Sequence, residues 1–238
     1  MTLPRGVRPW LEAGRRRFPR AYWRARTVVS LAEWYAQRLR ERFASEDATA
    51  YGGGFWEQHQ AGDWDGFARA ILRRFPARSV LDVGCGDGKL LAAMLRADPS
   101  LTVLGVESSP AALAMAAARG VPVRELDLVR LRRRAVASAV PGDFALATSL
   151  EVAEHVPAWH SGKLLRLLAR SPVVVFSAAQ PNQGGTLHVN ERPVEHWVRR
   201  FGRLGFAVAP ENAAFRRDVA ALDLPPWYAA NVNAFVRR

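Results

Sequence analysis

One cysteine, Cys85, stands among 238 residues, so no disulfide can form within the chain. That fits a reducing compartment, and a cytoplasmic location is the expectation. No apolar run approaches the roughly 18 residues a membrane-spanning helix needs, so no membrane partner is expected. The basic N-terminus is not followed by an uninterrupted apolar stretch, so no secretion signal is expected either. Lysine is almost missing: Lys89 and Lys163 are the only two, and arginine supplies the rest of the 34 basic residues. Acids are in deficit, 22 in all, which leaves a net charge of +12. Of that excess, +8 falls in residues 1–45, where eleven arginines face only Glu12, Glu33 and Glu41. An arginine bias beside abundant alanine reads as GC-rich codon usage as much as a selected polyanion surface, so no nucleic-acid partner is expected. Apolar residues are not scarce. At 49% they suffice for a full core, and the length suits one large domain or a domain with an appendage.

Residues 1–27, rich in Arg, Pro and aromatics, read as irregular or short-helical. Val28, Leu31, Tyr35, Leu39 and Phe43 recur at spacings of three and four, which predicts one face of an amphipathic helix. The stretch SEDATAYGGGFWEQHQ is a breaker-rich joint. Residues 63–74 read as a helix with Trp64, Phe67, Ile71 and Leu72 inward. Strands then alternate with helices: strands at 79–84, 102–107, 121–126, 143–150 and 172–179, helices at 88–97, 110–119, 153–170 and 193–204, and two tail strands near 206–210 and 229–236. Short apolar runs suit parallel strands covered on both faces. The pattern predicts a doubly wound α/β domain over residues 51–238, behind a helical, arginine-rich extension over residues 1–50.

The stretch VLDVGCGDGKL carries a strand into Gly84, Gly86 and Gly88, with Asp82 before the turn and Asp87 inside it. A P-loop is excluded, because Val83 stands where the first glycine belongs and Leu90 follows Lys89. The dinucleotide fingerprint is missed by one residue, and an acidic lip would repel a pyrophosphate. S-adenosylmethionine has no phosphate; it carries a sulfonium, an ammonium and one carboxylate. Asp82 can receive the ammonium. Glu107, at the end of the next strand, can accept from the ribose hydroxyls, and Asp127, after the third, can meet the adenine edge. Cys85 reads as a small filler in a crowded turn.

On these residues the chain resembles a class I S-adenosylmethionine-dependent methyltransferase. VLDVGCGDG is similar to that superfamily's first motif, Glu107 and Asp127 to its next two acidic positions, and SLEVAEHVP to the fourth-strand motif of its ubiquinone-biosynthesis-like branch. The segments FWEQHQAGDWDGFA, FSAAQPNQGGTLHVNERPVEHWVRRFGRLGF and WYAANVNAF are similar to a bacterial group of small-molecule methyltransferases. The resemblance covers roughly residues 51–238. It implies a seven-stranded sheet of order 3-2-1-4-5-7-6 with the last strand antiparallel, and S-adenosylmethionine as cofactor.

The acceptor should then face the ends of strands four and five. The fourth contributes Ser149, assigned to the cofactor side, with Glu151, Glu154 and His155. The fifth runs into the polar loop QPNQGGTLHVNER. Methyl transfer is an in-line displacement, with the acceptor atom about 3 Å from the methyl carbon. A base matters when the acceptor is a hydroxyl. His188 is the first choice of base, with His155 and Glu151 next, because a histidine titrates near neutrality. The alternative for His188 is a loop histidine that shapes the pocket, and for His155 a structural place at a helix start. Trp56, Trp64, Trp159 and Trp197 are read around the mouth, mostly as packing, and Trp227 and Tyr228 as anchors of the terminal strand. The extension with Tyr35 and the joint is read as a lid hinged at Gly52, Gly53 and Gly54. The expected function is methylation of an oxygen or nitrogen on a small polar metabolite, such as a sugar or natural-product scaffold, with no metal required. A second reading is an RNA methyltransferase: Glu151, Glu154, His155 and His188 resemble the metal-ligand set of enzymes that modify the terminal 2′-hydroxyl of small RNAs, and the basic arm would grip phosphates. A third is a non-catalytic cofactor-binding scaffold, against which the intact acids argue.

Overall fold

The computed structural model describes residues 19–40, 61–136 and 138–238. Phe43, the joint with its three glycines, and Trp56 lie outside the described residues. Strands β1 (Ser79–Val83), β2 (Thr102–Glu107), β3 (Val123–Glu125), β4 (Leu146–Leu150), β5 (Val173–Ser177), β6 (Phe206–Val208) and β7 (Asn233–Arg237) form one sheet in the order 3-2-1-4-5-7-6. Neighbours among the first five are parallel, and β7 is antiparallel to both β5 and β6. The topology is the one the resemblance implies. Helices α1 (Pro19–Arg40), α2 (Trp64–Arg74), α3 (Lys89–Ala97), α4 (Pro110–Ala118), α5 (Ser161–Leu168), α6 (Val194–Gly202), α7 (Asn212–Ala220) and α8 (Pro226–Asn231) complete it. None of the described helices is long and apolar enough to cross a membrane.

Strand alternation sorts the core onto two faces. Val80 joins Phe67, Ile71, Leu91, Met94 and Phe215 from α2, α3 and α7. Leu81 and Val83 point the other way, into Leu164, Leu168, Trp197 and Phe201 from α5 and α6. Phe201 stacks on Phe235 of β7 with ring centroids 4.3 Å apart. Local signals set the helix starts. Asp63 Oδ1 accepts the Gly66 amide at 2.7 Å before α2. Ser109 Oγ accepts the Ala112 amide at 3.3 Å, with Pro110 at the first position of α4, where a missing N–H costs nothing.

Several expectations need correction. The helix expected over 153–170 begins only at Ser161. The residues before it form turns, in which the Pro157 carbonyl takes the amides of His160 and Ser161 at 2.7 and 3.2 Å. Helices α7 and α8 were not foreseen, and the last strand starts at Asn233 because 226–231 is helical. On α1, Val28, Tyr35 and Leu39 are exposed, whereas Trp34, at 6% exposure, is the side chain that docks. Trp159 is exposed and Trp197 is buried in the core, so neither walls the mouth.

Candidate active site

The carboxyl ends of β1, β2 and β4, the loop after β5, and parts of α1 and α8 enclose a cavity of about 660 Å³. Its floor is the glycine turn. Gly84 has φ +78, and a Cβ there would lie 2.4 Å from Val152, so a side chain is excluded on both counts. The amides of Gly84 and Cys85 donate to the Val106 carbonyl at 2.8 and 3.2 Å, tying the turn to β2. Burial, then the charges of Asp82 and Glu107, push the Cys85 thiol far above its ordinary range, which leaves it a filler. Asp87, the second acid of the turn, is inward and structural: Arg119 Nη2 lies 3.0 Å from it and Lys89 Nζ 3.8 Å.

Asp82 lines the cavity yet is only 4% exposed. Thr148 Oγ1 donates to its Oδ1 at 2.7 Å. Burial pushes its carboxyl up to about 7 against that hydrogen bond, and the charge of Glu107 adds to the rise. Such a carboxyl is matched to an incoming cation. The ammonium and sulfonium of S-adenosylmethionine fit it, and a pyrophosphate does not. Glu107 also lines the cavity. Its Oε1 accepts the amides of Ser108 and Ser109 at 2.6 and 2.9 Å, and its Oε2 the Gly86 amide at 3.2 Å. Asp127 is fully engaged: Oδ1 accepts the amides of Val129 and Arg130 at 2.8 and 3.2 Å, and Oδ2 pairs with Arg38 of α1. Trp34 Nε1 donates to the His155 carbonyl at 3.1 Å, so α1 is fastened on both sides of the crevice. Ser149 does not line the cavity; it is buried in the sheet, where its Oγ donates to the Val83 carbonyl at 2.9 Å.

The other side of the cavity is built where β4 ends. Glu151 takes a positive φ of 54°, strained for a residue with a side chain. Its carboxylate is held by amides, Gln183 Nε2 at 3.0 Å and Asn231 Nδ2 at 3.0 and 3.1 Å. Glu154 is fully buried, and neither carboxyl oxygen has a hydrogen-bond partner of good geometry among the described residues. Burial, then the charge of Glu151, hold it well above the usual carboxylate range. His155 lines the cavity half-buried and is pushed down to about 3, by burial first and then by His188, against hydrogen bonds to the backbone of Leu187 and Thr186. The rings of His155 and His188 meet edge to face with centroids 4.8 Å apart. One ligand atom from each of Glu154, His155 and His188 lies within 4.8 Å of the others.

Five residues of this site escaped sequence reasoning. Trp34 and Arg38 reach it from α1. Trp227 and Tyr228, expected only as anchors of the terminal strand, line the cavity. Burial, then the neighbouring carboxylates, hold the Tyr228 phenol far above its ordinary range, so it stays a hydrogen-bond donor. Asn231 joins α8 to both Glu151 and Gln183, donating to Gln183 Oε1 at 2.9 Å. The aromatic WY pair was the visible signal for α8.

A 3-2-1-4-5-7-6 sheet with an acidic glycine turn defines a class I S-adenosylmethionine-dependent methyltransferase. The sequence profile of a methyltransferase-domain family matches residues 55–211, and the chain belongs to that family. Over 84 residues it is 37% identical to a ubiquinone biosynthesis O-methyltransferase of Azotobacter vinelandii, a match covering 35% of this chain and 36% of that protein. The alignment thus spans about a third of that relative. Among solved structures, the sugar N-methyltransferase KedS8 from Streptoalloteichus is similar in fold, with TM-score 0.56, 18% identity, and coverage of 78% of this chain and 92% of that one. A magnesium protoporphyrin IX methyltransferase from Synechocystis, solved with bound SAH, gives TM-score 0.54 at 17% identity, over 74% and 82%.

Proposed function

We propose that this protein transfers a methyl group from S-adenosylmethionine to an oxygen or nitrogen of a small polar metabolite, a sugar or natural-product scaffold being the preferred class, with His188 as the base. The carrying observation is that one cavity joins carboxylates suited to a cation, Asp82 and Glu107, with the His155–His188 pair at its other side. The names of the similar proteins, an O-methyltransferase of ubiquinone biosynthesis and a sugar N-methyltransferase, support a small-molecule acceptor. When bound, the cofactor supplies an activated methyl group, so the chain's work is positioning and proton removal. Asp82 would hold the ammonium, Glu107 the ribose, and Asp127 the adenine edge once Arg38 yields; Gly84, Gly86 and Gly88 let the nucleoside approach the backbone. His188 would take the proton, Glu151 would orient the acceptor, and the Tyr228 phenol would donate to it. His155 would stand behind His188 as a neutral neighbour. Helix α1 belongs to an extension over residues 1–50 that acts as a lid on the domain over 51–238.

The test is a screen of polar metabolites in a methyl-donor assay, repeated with His188→Ala. That variant should bind SAH within about twofold of the parent while kcat falls by about 10²- to 10⁴-fold. Lost SAH affinity would instead put His188 in the cofactor site. A second reading, metal-assisted methylation of an RNA hydroxyl, is favoured by the convergence of Glu154, His155 and His188 within 4.8 Å. Those residues, with Glu151, would hold a divalent ion that polarises the hydroxyl. Metal analysis of the purified protein separates the two: a stoichiometric divalent ion favours the second.

A further inference from the structure

We infer that Glu191 is a positioning residue: its carboxylate fixes the tautomer of His188 and clasps the 178–193 loop, so that Nε2 is the His188 nitrogen left for chemistry. This rests on the reading that His188 works in the site, and it applies equally to proton removal and to cation binding.

The Glu191 carboxylate meets three groups of its own loop. Oε2 takes the Asn182 amide at 2.9 Å, and Oε1 takes the Gly184 amide at 2.7 Å and lies 3.1 Å from His188 Nδ1. The loop needs such a clasp. Asn182 and Leu187 both have positive φ, 79° and 54°, conformations that cost a non-glycine residue roughly 1–3 kcal/mol each. Glu191 binds on both sides of Gln183, whose own side chain reaches Glu151 and Asn231. One carboxylate therefore anchors the loop that carries His188 and the residue that orients Glu151.

The tautomer follows from the donors around the carboxylate. Oε1 and Oε2 each already accept a backbone amide, the donor set of a carboxylate, which only accepts, so Nδ1 carries the hydrogen. The side chains retain 9% and 11% exposure, which keeps water from competing for the bond. Glu191 does not line the cavity, whereas His188 and Gly185 do. The Nε2 edge lies against Gly185, where a Cβ would sit 2.3 Å from Nε2. His155 is pinned by the same loop through the backbone of Leu187 and Thr186. A buried carboxylate that sets an imidazole's tautomer through Nδ1 is the role of the aspartate in hydrolase triads, where losing the charge leaves the geometry but drops the rate.

The test uses the full chain with histidine labelled in nitrogen-15 and SAH bound. Long-range proton–nitrogen spectra report each imidazole's tautomer, and His188→Ala identifies the His188 signals. We expect the Nδ1–H form in the parent and a shift toward Nε2–H in Glu191→Ala, with SAH affinity within about twofold. A loop clasp without a positioning role would leave the tautomer unchanged. An Nε2–H parent, or an Nδ1–H form that persists in Glu191→Ala, overturns the inference. Should Glu191→Ala not fold, Glu191→Gln serves, since its amide nitrogen leaves at least one of the three donors unmatched and removes the charge. With an acceptor from the screen, Glu191→Ala should lower kcat by about 10-fold or more in the parent and not at all on the His188→Ala background. Independent, multiplying losses overturn the inference. Full kcat in His188→Ala alone ends the base assignment and leaves the tautomer result standing.

Discussion

At the scale of single residues, the acid at the lip of the glycine turn makes a pH prediction. The Asp82 carboxyl lies near 7 in the empty fold, above its ordinary 3.8, because burial disfavours its charge. The folded state therefore holds this proton more tightly than the unfolded chain does. The empty protein should lose stability as pH climbs from about 4 to about 7, and show no further change from this group above that. A bound ammonium reverses the preference, since it attracts the carboxylate. SAH affinity should fall roughly tenfold per pH unit below about 7 and level off above it. Calorimetric titrations between pH 5.5 and 8 check this, with Asp82→Asn expected to bind weakly and without the slope. A slope that survives in Asp82→Asn would assign the titration elsewhere. Gly185 makes a steric prediction. Its φ is +157, and any Cβ would strike the His188 ring. Gly185→Ala should thus displace that ring and cut kcat by about 10²-fold or more, with SAH affinity kept within about twofold. An unchanged kcat would mean that the ring position is not tied to turnover.

At the scale of elements, α1 is fastened at two points. Trp34 holds the His155 carbonyl, and Arg38 occupies the Asp127 carboxylate. Trp34→Ala should free the helix and speed SAH dissociation about tenfold, one large buried aromatic contact being worth at least the 1.4 kcal/mol that requires. Stopped-flow displacement measures it, and an unchanged off-rate would make α1 ornamental. The same helix shows where the sequence stops being legible. Its 3.6-residue periodicity was readable, but Val28, Tyr35 and Leu39 marked the wrong face. What docks is Trp34 with a guanidinium, because the groups that receive them are a backbone carbonyl and a carboxylate at the crevice. Arg38 and Asp127 lie 89 positions apart, and no local pattern pairs them. The strands were readable because buried parallel strands are short apolar runs bounded by turn residues, and their order came from the family resemblance. Helices α7 and α8 were not, since ENAAFRRDVA offers only Phe215 and Val219 as large apolar positions, and two prolines mask a six-residue helix. The turns at 153–160 were misread as helix because their apolar spacing is helical, while Pro157 and the strained Glu151 deny them the backbone. The acids at strand ends were legible as types, and their engagement by Arg38 and by backbone amides was not.

At the scale of the whole molecule, the cavity is a point of convergence. Its wall draws on α1, the β1 turn, the ends of β2 and β4, the 178–193 loop and α8, which together span the chain from Trp34 to Tyr228. These elements belong to both core faces: the β1 turn leads into α3 on one, and the loop leads into α6 on the other. A ligand that touches all of them binds only the assembled fold, so its free energy adds to global stability and not just to one loop. At 100 times its dissociation constant, SAH should contribute about 2.7 kcal/mol, which for a chain of this size raises Tm by roughly 5–10 °C. NAD or ATP at the same concentration should leave Tm in place, since Asp82 and Glu107 face whatever enters, and both are wrong for a pyrophosphate. Thermal melts with the three ligands settle the matter in one experiment. Stabilisation by ATP or NAD with none by SAH would mean that the acidic turn had been assigned the wrong nucleoside. Stabilisation by SAH confined to protease protection of the 178–193 loop, with Tm unmoved, would mean that the two core faces unfold independently of the crevice between them.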